Sequence, residues 1–301
     1  MRGYGIVYVH FKINFPVFTS DRVYILGDTS YGECCVDEVA AEHIGADGII
    51  HFGHACLTPT QRIPALYVFT VLPVDCDKLV VDLQKFFESS EILESVAIVY
   101  DVQYHKALSA VEWPKNFHIC VPHPPKDNSS ENSSTTTVIE CGREWPQDIV
   151  NSGLKWNIVY VGMNDNFDCL LRFTFVNHTH YKYDPRQKSL CAEGANVTKT
   201  LMKRYFMVEK TKDADRIGIL VGTLGASRYG AIIDKIRETI AISGKKCYTF
   251  LVGKPNVPKL ANFPEIDVFV LVACPENSLL SSRDFLKPII TPFELDVALN
   301  R

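Results

Sequence analysis

The chain has 301 residues, of which 47% are hydrophobic and 22% are charged, and its formal net charge is −4. This composition supports two or three cores of ordinary domain size and excludes a broad basic surface, so we expect no nucleic-acid or membrane partner. No apolar run reaches the ~18 residues of a membrane span, and the first residues lack a signal-peptide layout, which favours a cytoplasmic location with free thiols.

Short apolar runs alternate with helical patterns along the chain, which predicts an α/β fold of three similar domains, each a small parallel sheet flanked by helices. We place the first domain at 1–122, a flexible polar linker at 123–137, the middle domain at 138–212 and the third at 213–301. Within the first domain we predict strands at 5–10, 22–26, 48–52, 65–71, 95–100 and 117–121, and helices at 36–44, 78–89 and 102–111.

Three widely spaced segments share one pattern, in which an apolar strand ends at a glycine and a polar loop leads into a helix. The glycines are Gly27, Gly162 and Gly222. In parallel sheets ligands gather at the carboxyl ends of the strands, so these loops are the first places to look for a site.

Four cysteines lie just past predicted strands: Cys34 and Cys35 in a glycine-led loop, Cys56 after the next strand, and Cys274 far downstream. Thiolates are soft ligands that suit iron–sulfur clusters, and thiols at the ends of core strands are well placed to converge on one metal centre. The wide spacing is no compact ferredoxin motif. Inert buried thiols remain an alternative, whereas zinc usually has paired ligands at closer spacing. His51 is expected near the core, and His54 is a looped residue that could touch a ligand.

Longer stretches around these cysteines carry a resemblance. Gly27-Asp-Thr-Ser-Tyr-Gly-Glu-Cys-Cys-Val-Asp37 and Gly45-Ala-Asp-Gly-Ile-Ile-His-Phe-Gly-His-Ala-Cys-Leu-Thr-Pro59 strongly resemble the diphthamide-synthesis family. Cys274-Pro-Glu-Asn-Ser-Leu-Leu280 and Lys287-Pro-Ile-Ile-Thr-Pro-Phe-Glu-Leu-Asp-Val-Ala298 resemble, within it, the second-subunit type of the eukaryotic heterodimer.

The resemblance implies three α/β domains around a 4Fe–4S cluster and radical chemistry on S-adenosylmethionine. In the family, a 3-amino-3-carboxypropyl group is transferred to a histidine of elongation factor 2. The first subunit of the heterodimer is thought to host catalysis, and the second helps to keep the partner's cluster reduced. The implied partners are therefore a homologous first subunit, elongation factor 2 and an electron donor protein, with S-adenosylmethionine expected on the partner rather than on this chain.

Carried over residue by residue, the resemblance implies Cys35, Cys56 and Cys274 as the cluster ligands, with Cys34 as the alternative within the doublet. The first subunit instead takes one ligand from its middle domain, where Cys141 and Cys169 are the candidates here. A middle-domain ligand would argue for a catalytic type of cluster.

One loop departs from the family pattern. Where the first subunit has Gly-Asp-Gly-Arg-Phe-His in its substrate pocket, this chain has Gly162-Met-Asn-Asp-Asn-Phe167. The departure argues against direct turnover of S-adenosylmethionine, and we assign no catalytic residue. The leading hypothesis is an iron–sulfur accessory subunit. The alternatives are a homodimeric radical transferase and a cluster-free scaffold.

Overall fold

The computed structural model describes residues 6–10, 22–29, 32–60, 62–89, 95–124, 137–151, 153–192, 194–222, 229–279 and 285–299. Most of the predicted linker 123–137 and the glycine-rich loop 223–228 lie outside these ranges. The described chain forms two compact units. We call Met1–His51, Thr58–Leu66 and Thr198–Arg301 the terminal unit, and Phe52–Leu57 with Tyr67–Val197 the central unit.

The first four strands of the described chain form one sheet. Its elements are β1 (Ile6–His10), β2 (Arg22–Leu26), helix α1 (Glu38–His43), β3 (Gly48–Phe52) and β4 (Ala65–Val68), with the strand order β2-β1-β3-β4. The expected parallel arrangement is wrong for β1, which pairs antiparallel with both β2 and β3. Because β2 and β3 are both antiparallel to β1, they run in the same direction, and their carboxyl ends lie at the same end of the sheet.

The central unit contains a five-stranded sheet in the order β11-β10-β9-β5-β6. The pairings between β10, β9, β5 and β6 are parallel, and only β11 is antiparallel. The elements are α2 (Cys76–Ser89), β5 (Val96–Tyr100), a 3-10 turn (Val102–Tyr104), α3 (His105–Leu108), β6 (Phe117–Cys120), β7 (Thr137–Glu140), β8 (Arg143–Pro146), α4 (Gln147–Asn151), β9 (Asn157–Val161), α5 (Asp165–Thr174), β10 (Thr179–Asp184) and β11 (Ser189–Ala192).

Strand β5 explains why this sheet is buried on both faces. Its Val96 and Ile98 pack with Leu83 of α2, whereas Ala97 and Val99 pack on the opposite face in a cluster that includes Trp145, Phe167 and Leu171. A strand buried on both faces reads as a continuous apolar run.

The structure corrects where β5 and β6 belong. We expected them beside β1–β4, but β5 pairs with β9. The apolar run predicts a doubly buried strand without naming its neighbour. The division into three domains stays a prediction.

The terminal unit also contains a four-stranded parallel sheet in the order β13-β12-β14-β15. Its elements are β12 (Arg216–Val221), α7 (Tyr229–Ile242), β13 (Lys246–Leu251), α8 (Val257–Ala261), β14 (Val268–Val272), α9 (Pro275–Ser278), β15 (Ile289–Ile290) and α10 (Pro292–Leu299), preceded by α6 (Gly194–Lys212). Among the described residues, no helix has both the length and the apolar composition that a membrane crossing needs.

Both parallel sheets have a switch point, a pair of neighbouring strands whose crossover connections run to opposite sides of the sheet. It lies between β5 and β9 in the central unit and between β12 and β14 in the terminal unit. Open α/β sheets bind ligands at such points, outside the carboxyl ends of the strands. The polar residues just past β5, β9 and β14 are therefore the ones to inspect.

Candidate metal centre

The double-cysteine loop is held by a turn and a helix cap. The amide of Cys35 donates to the carbonyl of Gly32 at 3.0 Å, which closes the turn. Two residues later, the Asp37 carboxylate accepts from the Ala40 amide at 3.0 Å and caps the start of α1. A capping carboxylate satisfies one of the amides that a helix start leaves without a partner. The cap therefore fixes how the chain enters α1 directly after the two thiols.

Glu38 anchors the same loop to a neighbouring segment. Its carboxylate is buried and accepts from the backbone amides of Arg62 at 2.7 Å and Ile63 at 3.1 Å. A buried carboxylate is costly unless such bonds compensate for lost water, so this contact is specific rather than incidental. The thiols of Cys34 and Cys35 are consequently held inside the protein, with 8% and 7% of each residue exposed.

Cys274 lies at the switch point of the parallel sheet of the terminal unit. It follows β14 and occupies the N-cap position of α9, whose first residue is Pro275. Proline suits this first helical position because it has no amide hydrogen to leave unsatisfied. Only 1% of Cys274 is exposed.

Three thiols of the terminal unit lie together. The Sγ of Cys34 is 3.8 Å from that of Cys274 and 4.0 Å from that of Cys35. The Sγ atoms of Cys34, Cys35 and Cys274 all lie within 4.8 Å of one another. Clustered buried thiols are the donor set of soft metal centres, namely zinc and iron–sulfur clusters.

Cys56 belongs to the short segment Phe52–Leu57 of the central unit and is buried. The next residue, Leu57, has φ 57°, a left-handed conformation uncommon for a non-glycine residue. A Cβ on Gly142 would lie 3.0 Å from the Cys56 carbonyl oxygen and 2.9 Å from Leu57 Cβ, so Gly142 lets the backbones approach. This close packing constrains the backbone around Cys56, whose role as a ligand is part of the proposal below.

The two middle-domain alternatives join no potential metal-binding group in the part of the chain that the structure describes. Cys141 forms the two-residue turn between β7 and β8 with Gly142, and both have positive φ. Its Sγ lies 3.5 Å from Thr174 Oγ1. Cys169 is a half-buried residue of α5.

Asn277 was not singled out by the sequence reasoning. Its side-chain amide Nδ2 donates to Cys34 Sγ at 3.1 Å and to Cys274 Sγ at 3.2 Å, and lies 3.8 Å from Cys35 Sγ. The available signal was spacing, because residues three apart on a helical turn lie on one face, and Asn277 follows Cys274 by three.

The switch point of the central unit is arranged differently. The Asp101 carboxylate, just past β5, accepts from Tyr160 Oη at 2.6 Å and from the Met163 amide at 3.0 Å. Tyr160 Oη in turn accepts from the Asn164 amide at 2.8 Å. Burial, followed by the charge of Asp101, raises the pKa of Tyr160, so this phenol stays neutral and donates.

Gly162 completes this arrangement, since a Cβ there would lie 2.5 Å from both Asp101 Oδ2 and Tyr160 Oη. The predicted loop residue His54 is also engaged here, because Asn164 Nδ2 donates to its Nε2 at 3.1 Å. His51 is buried, as predicted. Polar groups at this strand end thus bond to one another.

The fold and the thiol group together define an α/β protein with a buried group of cysteines of the type that binds soft metals. The family described as "Putative diphthamide synthesis protein" matches residues 9–301, and the chain belongs to it.

Its relatives include the "2-(3-amino-3-carboxypropyl)histidine synthase subunit 2" of Danio rerio, 39% identical over 94% of this chain and 59% of that protein. The Schizosaccharomyces pombe protein of the same name is 39% identical over 93% of this chain and 56% of its own length. The chain thus spans about three fifths of the curated relatives it matches.

The fold has a counterpart among solved structures. Dph2 from Pyrococcus horikoshii, solved with a 4Fe-4S cluster, superposes with a TM-score of 0.63 at 19% identity, covering 91% of this chain and 77% of that one. The expected α/β fold class is confirmed.

Proposed function

We propose that this chain is the iron–sulfur second subunit for the first step of diphthamide synthesis, the transfer of 3-amino-3-carboxypropyl from S-adenosylmethionine to a histidine of elongation factor 2. The names of its relatives support this assignment. The observation that carries it is the buried group of Cys34, Cys35 and Cys274. We place the protein in the cytoplasm with a homologous first subunit and an electron donor protein as partners.

The proposed ligands are Cys274, Cys56 and one thiol of the doublet. The sequence favours Cys35 by resemblance, whereas the 3.8 Å separation from Cys274 and the 3.1 Å contact with Asn277 favour Cys34. Cys56 is supported by its burial and by its place after β3, which leaves the first sheet at the same edge as β2.

The donor set fits an iron–sulfur cluster, because such clusters are held by cysteine thiolates. When bound, a 4Fe–4S cluster supplies one-electron transfer. The residues of this chain would hold it, exclude water from it and donate a hydrogen bond to its ligand sulfurs. None of these roles requires a substrate pocket in the same chain.

The carboxyl ends of β5 and β9 support an accessory rather than a catalytic role. Asp101, Tyr160 and the Met163 amide satisfy one another where an α/β sheet would ordinarily bind its ligand. A substrate bound there would have to break these hydrogen bonds, of which the one from Tyr160 to Asp101 is short and buried. We therefore propose that S-adenosylmethionine is cleaved on the partner subunit.

A single tetrahedral ion is the second candidate occupant. Metal–sulfur bonds of about 2.3 Å place tetrahedral thiolates about 3.8 Å apart, close to the 3.8 and 4.0 Å found here. A four-iron core separates its ligands further, so the thiols would have to move apart to hold it.

Iron, sulfide and zinc analysis of anaerobically purified protein distinguishes the cluster from the single ion. We expect stoichiometric iron and sulfide after reconstitution, and zinc alone would refute the cluster.

The functional test uses dithionite, S-adenosylmethionine and elongation factor 2, with this chain alone and with its homologous first subunit. We expect modification only when both subunits are present. Modification by this chain alone would make it the transferase itself. Full support from iron-free protein would make it a scaffold.

A further inference from the structure

Asn277 and Gly32 form a matched pair over the thiols of the terminal unit. The Asn277 amide contacts Cys34 and Cys274. On its other side is Gly32, where a Cβ would lie 1.8 Å from Asn277 Nδ2 and 2.7 Å from its Cγ. A contact that short is impossible, so only glycine at position 32 leaves the amide where it is.

The backbone holds Asn277 in this place. Its own amide and that of Ser278 both donate to the Cys274 carbonyl at 3.0 Å. The position of the side chain therefore follows from that of Cys274, and the glycine-led loop carrying Cys34 closes over it. The loop with Gly32 and Cys34 and the turn with Cys274 and Asn277 thus together place one N–H donor within hydrogen-bond distance of their sulfurs.

We propose that Asn277, seated against Gly32, is a positioning residue that raises the reduction potential of the metal centre by hydrogen bonding to its ligand sulfurs. The proposal rests on the cluster assigned above. Reduction adds negative charge to the cluster and its thiolates, and an N–H dipole directed at sulfur stabilises that charge. Because the amide is neutral, it provides this stabilisation without adding a buried charge.

The first test replaces the donor by a side chain of similar size. Asn277→Leu and the wild-type chain are reconstituted with iron and sulfide, and their midpoint potentials are measured by dithionite titration with electron paramagnetic resonance. We expect Asn277→Leu to hold the same iron and to require a potential lower by about 59 mV or more, a tenfold change for a one-electron couple. An unchanged potential at full iron content would overturn the proposal.

The second test displaces the Asn277 amide by a substitution at the neighbouring Gly32. Gly32→Ala should displace the Asn277 side chain and lower the potential in the same direction, although Asn277 is still present. In an Asn277→Ala background, which removes the clashing atoms, Gly32→Ala should have no further effect. Independent, additive shifts would show that the glycine and the amide act separately.

Gly27→Ala is the matched control, because a Cβ on this glycine of the same region meets nothing within 4 Å. Its potential should equal that of the wild type. If Asn277 only braced the loop, iron content or the melting temperature would fall while the potential of the remaining cluster stayed constant. Wild-type protein that binds no iron would instead refute the proposed function.

Discussion

The two switch points of this protein hold polar groups in opposite ways. Past β14, the Cys274 sulfur lies 3.8 Å from the Cys34 sulfur and accepts a hydrogen bond from Asn277 Nδ2. Past β5 and β9, the Asp101 carboxylate accepts hydrogen bonds from Tyr160 Oη and from the Met163 amide. The position at a strand end is the same in both sheets. What differs is the chemistry of the groups there, because one strand end gathers soft thiol sulfurs and the other gathers oxygens that are hydrogen-bonded to one another.

The largest expected effect is on metal content, which tests directly whether the thiols past β14 hold the metal. Cys274→Ala removes one thiol of the buried group and should abolish most iron binding after reconstitution. Cys191→Ala, at an exposed cysteine of the central unit, should retain full iron. Full iron in Cys274→Ala would place the metal elsewhere.

Within the doublet, Cys34→Ala should lose more iron than Cys35→Ala, because the Cys34 sulfur lies 3.8 Å from that of the proposed ligand Cys274. A greater loss of iron in Cys35→Ala would identify Cys35 as the ligand.

The next effect tests whether the Asp101 group is structural. Asp101→Ala removes the acceptor for Tyr160 and Met163, and leaving buried donors unsatisfied should cost about 3 kcal/mol of unfolding free energy. Urea denaturation measures it. The exposed Asp77 of α2 is the control, with an expected change of at most about 0.5 kcal/mol. Retained stability together with new binding of S-adenosylmethionine would overturn the contrast between the two switch points.

Mild acid should destabilise the central sheet through the partly buried His180. Burial lowers the pKa of His180 on β10 to about 4, and its Nε2 donates to the Phe175 carbonyl at 2.8 Å. In the unfolded chain the pKa is about 6.5, so between these values the unfolded state binds more protons. Stability should be complete above pH 6.5 and fall by about 2–3 kcal/mol towards pH 4.

Urea midpoints at pH 7 and pH 5 measure this loss, and His180→Gln should reduce the difference between them. An equal difference in the variant would mean that other groups cause the acid sensitivity.

The smallest expected effect compares two buried tyrosines of the same sheet. Tyr160→Phe removes a hydroxyl that bonds to Asp101 and Asn164, and should cost about 1–2 kcal/mol. Tyr183 Oη is buried without a hydrogen-bond partner in the ranges that the structure describes, so Tyr183→Phe should be neutral or stabilising. Equal losses in thermal stability would show that ring packing, not the hydroxyl network, explains the result at Tyr160.

Much of the architecture was accessible from pattern alone. The strand predicted at 95–100 and those predicted before Gly162 and Cys274 are present as β5, β9 and β14, and α1 and α2 lie within a few residues of their predicted bounds. The pairing of β5 with β9 and the antiparallel β1 were not predicted, because an apolar run reports burial without identifying the neighbouring strand.

The sequence by itself identified the family and the cysteines worth examining, because long motifs and strand-end thiols are local features of the chain. Only the tertiary structure brought Cys34 within 3.8 Å of Cys274, and placed the Asn277 amide between them and Gly32. It also showed Asp101 bonded to Tyr160. Such contacts join residues many positions apart, and their distances follow from how strands pair and loops close, which no local pattern records.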